Sequence, residues 1–161
     1  MTSLVEYCKR DALDAMEHFL RNFSHVPDDK LNWSPTPTSK SALRIAAHTA
    51  VAIGNFTKMM RDRRLPYGDE IPEFMAQTAA REVAITTREE AEELLRKNMA
   101  EVITAMDDLT DEEAEMVLDT GQGWQMPMSF LMKLPSKHTA WHIGQIDFLQ
   151  TCWDDQEIYV G

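Results

Sequence analysis

The spacing of the apolar residues, which recur at three- and four-residue steps over long stretches, is the feature that most constrains the fold of this chain. Such spacing places apolar side chains on one face of a helix. It predicts four principal helices, over residues 3–24, from Ser39 or Ser41 to about 61, from 87 to about 109, and from about 127 to about 152. Only 6 glycines and 7 prolines occur in 161 residues, so we predict an all-α protein and no strand.

Local signals refine the ends of these helices. Thr87 and Glu90 have the spacing of a capping box, which predicts the start of the third helix. Pro135 lies inside the last predicted helix and should kink it or divide it into two segments. Residues 62–86 are the least regular stretch, because two prolines and a glycine leave only 73–83 for a short helix.

Length, charge and cysteine content narrow the classes of protein. A chain of 161 residues is most simply one domain, 1–161. The net charge of −11 argues against binding nucleic acid or an anionic membrane, since both need a basic surface. The chain shows no signal peptide and no apolar run long enough to span a membrane. With only Cys8 and Cys152, we expect reduced thiols and a cytoplasmic protein, with a disulfide through contact of the terminal helices as the alternative.

The histidines are the candidate functional residues. His138 and His142 are four residues apart in the last predicted helix, so they lie one turn apart on one face. Two imidazoles at this spacing can bind one metal ion together, but a first-row metal needs at least one more ligand. His48 is the candidate third ligand, because it stands in an apolar stretch of the second helix. His18 and His25 belong to a charged stretch and should be exposed.

Each of these signals has a structural alternative. A single histidine on an apolar face, such as His48, is often a core residue satisfied by hydrogen bonds. A pair spaced like His138 and His142 is common in helices, and either Trp141 or His142 could face inward. Gln145 could hold His142 by a hydrogen bond or simply lie at a helix interface. Four large residues are candidate walls of a pocket or ordinary core residues: Trp33, Trp124, Met126 and Trp141.

Two segments resemble the opening and closing signatures of the DinB-like family. They are Leu31-Asn-Trp33-Ser-Pro35 followed by Ser41-Ala-Leu-Arg-Ile-Ala-Ala-His48, and His138-Thr-Ala-Trp-His142-Ile-Gly144-Gln145-Ile146. The resemblance implies a four-helix bundle with an up-down-down-up order and a long crossover, often dimeric. It also implies a divalent metal, most often nickel or zinc, held by His48, His138 and His142.

The resemblance also narrows the function. The family includes thiol-dependent S-transferases and isomerases, and many members without a known activity. It implies a metalloprotein that acts on a small molecule, as a metal-dependent thiol S-transferase or a hydrolase, with a low-molecular-weight thiol as a candidate cofactor and a homodimer as the assembly. The alternative is a non-catalytic, stress-related binding or scaffold module whose metal is structural or absent. The sequence offers no clear general base, so catalytic and cofactor-binding residues stay unassigned.

Overall fold

The computed structural model describes residues 3–159, most of which lie in helices. The helices are α1 Leu4–Ser24, α2 Ala42–Asp62, α3 Glu70–Ala84, α4 Arg88–Asp107, α5 Asp111–Glu115, α6 Met128–Leu131 and α7 Leu134–Thr151. Two short strands, β1 Val117–Asp119 and β2 Gln125–Pro127, pair antiparallel between α5 and α6. None of the helices within 3–159 combines the length and apolarity needed to cross a bilayer. The predicted mostly helical fold is confirmed.

The four long helices α1, α2, α4 and α7 surround a common core. Helix α1 contacts α4 and α7, and α2 contacts the same two helices from the other side. Lys9, near the start of α1, pairs with Asp107 at the end of α4, so these two helices are antiparallel. Asn22, near the end of α1, donates to Asp147 near the end of α7, so these two run in the same direction. The complete up-down-down-up order remains a prediction.

The helix ends follow their capping residues. Ser41, not Ser39, caps α2, and its hydroxyl accepts a hydrogen bond from the backbone N–H of Arg44. Thr87 and Glu90 form the predicted capping box at the start of α4. Pro135 lies in the first turn of α7, where a missing N–H costs nothing, and so divides the last predicted helix into α6 and α7.

Two expectations about the connections are wrong. Helix α3 begins at Glu70 rather than 73, because Pro72 falls in its first turn, where proline is tolerated. The expectation of no strand fails at residues 117–127, where Leu118 lies opposite Met126 in a hairpin. Each strand has three residues, which is too short to show an alternating pattern in the sequence.

The cysteines lie at opposite ends of the neighbouring helices α1 and α7. Cys8 is buried near the start of α1, and Cys152 is exposed just after α7, and both are free thiols. Burial raises the pKa of the Cys8 thiol.

Small residues let α2 approach α4 closely. Ala46, Ala47 and Ala50 are buried, and Gly54 faces the side chain of Asn98 on α4. A Cβ atom on Gly54 would lie 2.7 Å from Asn98 Nδ2. That nitrogen donates to the backbone oxygen of Ala50 at 2.8 Å, so it cannot move away without losing the bond.

We predict different effects on stability for alanine at the two glycines of the bundle helices. Gly144→Ala meets no atom within 4 Å and should stabilise the protein by roughly 0.5–1 kcal/mol through helix propensity. Gly54→Ala should lose that gain, because displacing Asn98 removes a hydrogen bond worth about 1 kcal/mol. The free energies of unfolding from urea titrations measure the contrast. Equal stabilisation by both changes would show that α2 and α4 do not need the glycine.

Candidate metal centre

The three histidines predicted to share a site lie together between α2 and α7. The ring centroid of His48 is 5.1 Å from that of His138 and 4.8 Å from that of His142. The centroids of His138 and His142 are 4.4 Å apart. One nitrogen from each imidazole lies within 4.8 Å of the others, so the group could hold a metal ion.

Helix geometry explains how His138 and His142 reach the same point. They are one turn apart on the face of α7 that meets α2, and His142 is buried. Trp141, the alternative inward residue, is 60% exposed. On the α2 side, the ring of Phe56 packs edge-on against His138 at 5.5 Å.

Two of the imidazoles are oriented by hydrogen bonds at Nδ1. His48 Nδ1 lies 2.7 Å from Glu82 Oε1, and His142 Nδ1 lies 2.7 Å from Gln145 Oε1. Both partners are acceptors, so each Nδ1 carries the proton and each Nε2 keeps its lone pair. Oxygen partners of this kind fix the ring and the tautomer of metal-ligating histidines.

Not every imidazole nitrogen of the site finds a hydrogen-bond partner among the protein atoms that the structure describes. The Nε2 atoms of His138 and His142 lie 3.2 Å apart, and His142 Nε2 is unprotonated because its Nδ1 donates to Gln145. His138 Nδ1 is buried and has no hydrogen-bond partner among residues 3–159. Converging nitrogen lone pairs call for a proton or a cation between them. Three imidazoles suit first-row metals such as zinc, copper, iron and nickel, so the residues fit a divalent metal of the kind that the family resemblance implies.

Electrostatics favour the neutral form of His138 and His142. Burial, with the neighbouring His142 and His48 and with Lys40, lowers the pKa of His138 to about 3. Burial also lowers the pKa of His142, against the opposing effect of its hydrogen bond to Gln145. Metal binding requires deprotonated ligands, so a lowered pKa prepares both rings for it near neutral pH.

Glu82 is the residue of this site that sequence reasoning missed. It lies in the last turn of α3, in the crossover between α2 and α4. Arg44 fixes that end of α3 against α2, because its guanidinium donates to the backbone oxygens of Glu82 and Ile85. The crossover therefore places a carboxylate against His48. No periodicity in residues 62–86 marks Glu82 among the many acidic residues of the chain.

The other predicted residues lie elsewhere. His25 is exposed as expected and stacks on Tyr159, whereas His18 is half-buried, so the expectation of exposure is wrong for it. Of the four candidate pocket walls, only the indole of Trp141 lies near the triad, 6.4 Å from the ring of His138. The other three have different surroundings: Trp33 packs edge-on against Trp153, Trp124 is 50% exposed, and Met126 packs against the core.

Fold and site together define a helical protein with a histidine triad able to hold a metal ion between two of its long helices. The family model of the DinB superfamily matches residues 10–146, and the chain belongs to that superfamily. The resemblance seen in the sequence is therefore confirmed. A search of curated proteins finds no match.

Two solved structures share the fold. One is a DinB-like protein, YjoA, from Bacillus subtilis, with a TM-score of 0.68, 15% identity and coverage of 96% of both chains. The other is a mycothiol-dependent maleylpyruvate isomerase, with a TM-score of 0.68 and 18% identity. The match to the isomerase covers 91% of this chain but 63% of the other. At these identities the likeness establishes the fold alone.

The low pKa of His138 predicts that the metal-free protein loses stability in acid. In the unfolded chain this imidazole titrates near its ordinary value of 6.5, and in the folded chain near about 3. Between pH 3 and pH 6.5 the unfolded state therefore binds more protons than the folded state. The contribution of His138 to the free energy of unfolding is complete above pH 6.5 and is lost as the pH falls towards 3.

Urea denaturation at about pH 7.5 and about pH 4.5 measures this linkage, and His138→Gln is the reference because it removes the titrating group. Wild type should lose more stability than the variant between the two pH values. Equal losses would contradict the burial of a neutral imidazole.

Proposed function

We propose that this chain binds a divalent metal, nickel or zinc, through His48, His138 and His142, and that the site is the active centre of a metal-dependent thiol S-transferase. The observation that carries the proposal is the convergence of three imidazoles, two of them held by oxygen acceptors so that Nε2 is free. Three histidine ligands leave a coordination position for a further group, as in catalytic rather than structural sites.

The residues of the chain have distinct tasks in this proposal. Glu82 holds His48 and adds a negative charge beside the site, and Gln145 holds His142 without adding charge. A divalent metal bound here would lower the pKa of a coordinated thiol or water. The His48 and Glu82 side chains are partly exposed, so the site is open to a small molecule.

The name of one structurally similar protein makes thiols the first co-substrates to test. The maleylpyruvate isomerase is described as mycothiol-dependent, and it shares the fold of this chain. We extend the proposal to a cytoplasmic homodimer with one domain per chain. Support for the dimer comes from Trp141, a large aromatic residue of α7 that is 60% exposed.

Calorimetric titration with Ni²⁺ and Zn²⁺ tests the metal centre. We expect one ion per chain for wild type. His48→Ala should lose more affinity than the roughly 10–100-fold that removal of an outer hydrogen-bond partner costs. His25→Ala, at a histidine stacked on Tyr159 away from the triad, is the matched control and should bind like wild type. Unchanged affinity in His48→Ala would refute the three-histidine site.

The same titration tests the role of Glu82. Glu82→Gln keeps an oxygen acceptor for His48 but removes the charge, and we expect metal affinity to fall by about 10-fold. Glu73→Gln is the control, because Glu73 lies on the same helix and contacts Gln77 instead of the triad. If both variants bind metal equally well, Glu82 does not support the site.

Thiol conjugation separates an enzyme from a binding module. The metal-loaded protein is assayed with mycothiol, bacillithiol and glutathione against an electrophilic acceptor, and the triad variant His142→Ala is the control. We expect turnover that requires both the metal and the triad. Metal binding without turnover by any thiol would favour the non-catalytic module instead.

A further inference from the structure

A cleft lies beside the histidine triad, where the start of α2 meets the second half of α7. Its volume is about 360 Å³, and its walls are Lys40, Ile45, Gly144, Gln145, Phe148 and Leu149, together with residues of the preceding loop. Gln145 belongs both to this cleft and to the triad, because it is the hydrogen-bond partner of His142. A molecule in the cleft would therefore lie next to the proposed metal site.

The cleft combines one cationic end with an apolar wall. Lys40 is its only charged lining residue among those the structure describes, and within 3–159 the lysine forms no ion pair. Ile45, Phe148 and Leu149 supply apolar surface, and Phe148 is 63% exposed. Lys40 could pair with the charge of a small organic anion, and Phe148 could contact its apolar part.

The backbone adds to the positive field at the same end. Lys40 precedes the N-cap of α2, and the first turn of α2 carries no acidic side chain. The dipole of α2 favours an anion at this end, although the backbone N–H groups of Leu43 and Arg44 already donate to Leu31 and Ser41. This positive region stands out in a chain of net charge −11.

The open space beside Gly144 is a second feature that points to a ligand. Gly144 lies in the interior of α7, where glycine costs roughly 0.5–1 kcal/mol relative to alanine. No described atom lies within 4 Å of a Cβ placed on it, so packing does not require the glycine. The space that it leaves open belongs to the cleft.

We propose that this cleft binds the carboxylate-bearing part of the small molecule on which the triad acts, with Lys40 pairing the carboxylate and Phe148 covering the apolar part. The inference rests on the proposed function, since it assigns a substrate class to that site. Lys40 is a binding residue in this account, and Gly144 provides the space.

Titration of the metal-free, full-length protein with 3-phenylpropionate and with the neutral 3-phenyl-1-propanol tests the proposal by backbone amide chemical shifts. We expect chemical-shift changes at Lys40, Gly144 and Gln145. The Kd of the anion should be about fivefold lower than that of the alcohol, which is the largest gain in affinity expected from a partly exposed ion pair. Metal-free protein is used because a bound metal would itself attract the carboxylate.

Variants assign the effect to the cleft. Lys40→Met should raise the Kd of the anion to that of the alcohol and leave the alcohol unchanged, and Gly144→Leu should weaken both ligands. Lys137→Met is the matched control, because Lys137 is an exposed lysine of α7 that lies over Phe130 rather than in the cleft.

Equal Kd values for the two ligands, shifts confined to other surfaces, or the same loss in Lys137→Met as in Lys40→Met would overturn the inference. These results do not depend on metal binding. Failure here therefore leaves the metal proposal standing, and failure of the metal titration leaves this test valid.

Discussion

The packing of three imidazoles at the contact between α2 and α7, with His142 buried and His48 and His138 partly buried, is the constraint on which the rest of the site depends. Imidazoles removed from water must find hydrogen-bond partners or a cation, because an unsatisfied polar group in the interior costs free energy. Glu82 and Gln145 satisfy one nitrogen each of His48 and His142. One nitrogen of each ring lies within 4.8 Å of the others, an arrangement that could hold a metal ion.

The crossover between α2 and α4 belongs to the site rather than merely connecting two helices. Helix α3 carries Glu82 in its last turn, and Arg44 of α2 holds that turn by its backbone oxygens. The carboxylate is therefore positioned by two elements that come from different parts of the chain. A change that loosens α3 should act on His48 although it lies outside the four long helices.

The helices and the pair of His138 and His142 could be predicted from the sequence because their signals are local, whereas the assignment of His48 to the same site relied on the family resemblance. Capping by Thr87, division at Pro135 and the one-turn spacing of His138 and His142 each depend on neighbours in sequence. The pairing of Glu82 with His48 depends on how α3 packs on α2, and no pattern in an acidic, irregular stretch reveals it. The choice between Trp141 and His142 as the inward residue also needed the structure. The hairpin around Leu118 was missed because its strands are too short to show a period.

X-ray absorption at the metal edge of the nickel- or zinc-loaded protein tests the central claim most directly. The account predicts the multiple-scattering pattern of three imidazoles, with metal–nitrogen distances of about 2.0–2.1 Å for zinc. Addition of a thiol should add one sulfur scatterer at about 2.3 Å while the three imidazoles remain. A spectrum dominated by oxygen ligands, or one with fewer than three imidazoles, would contradict the histidine centre.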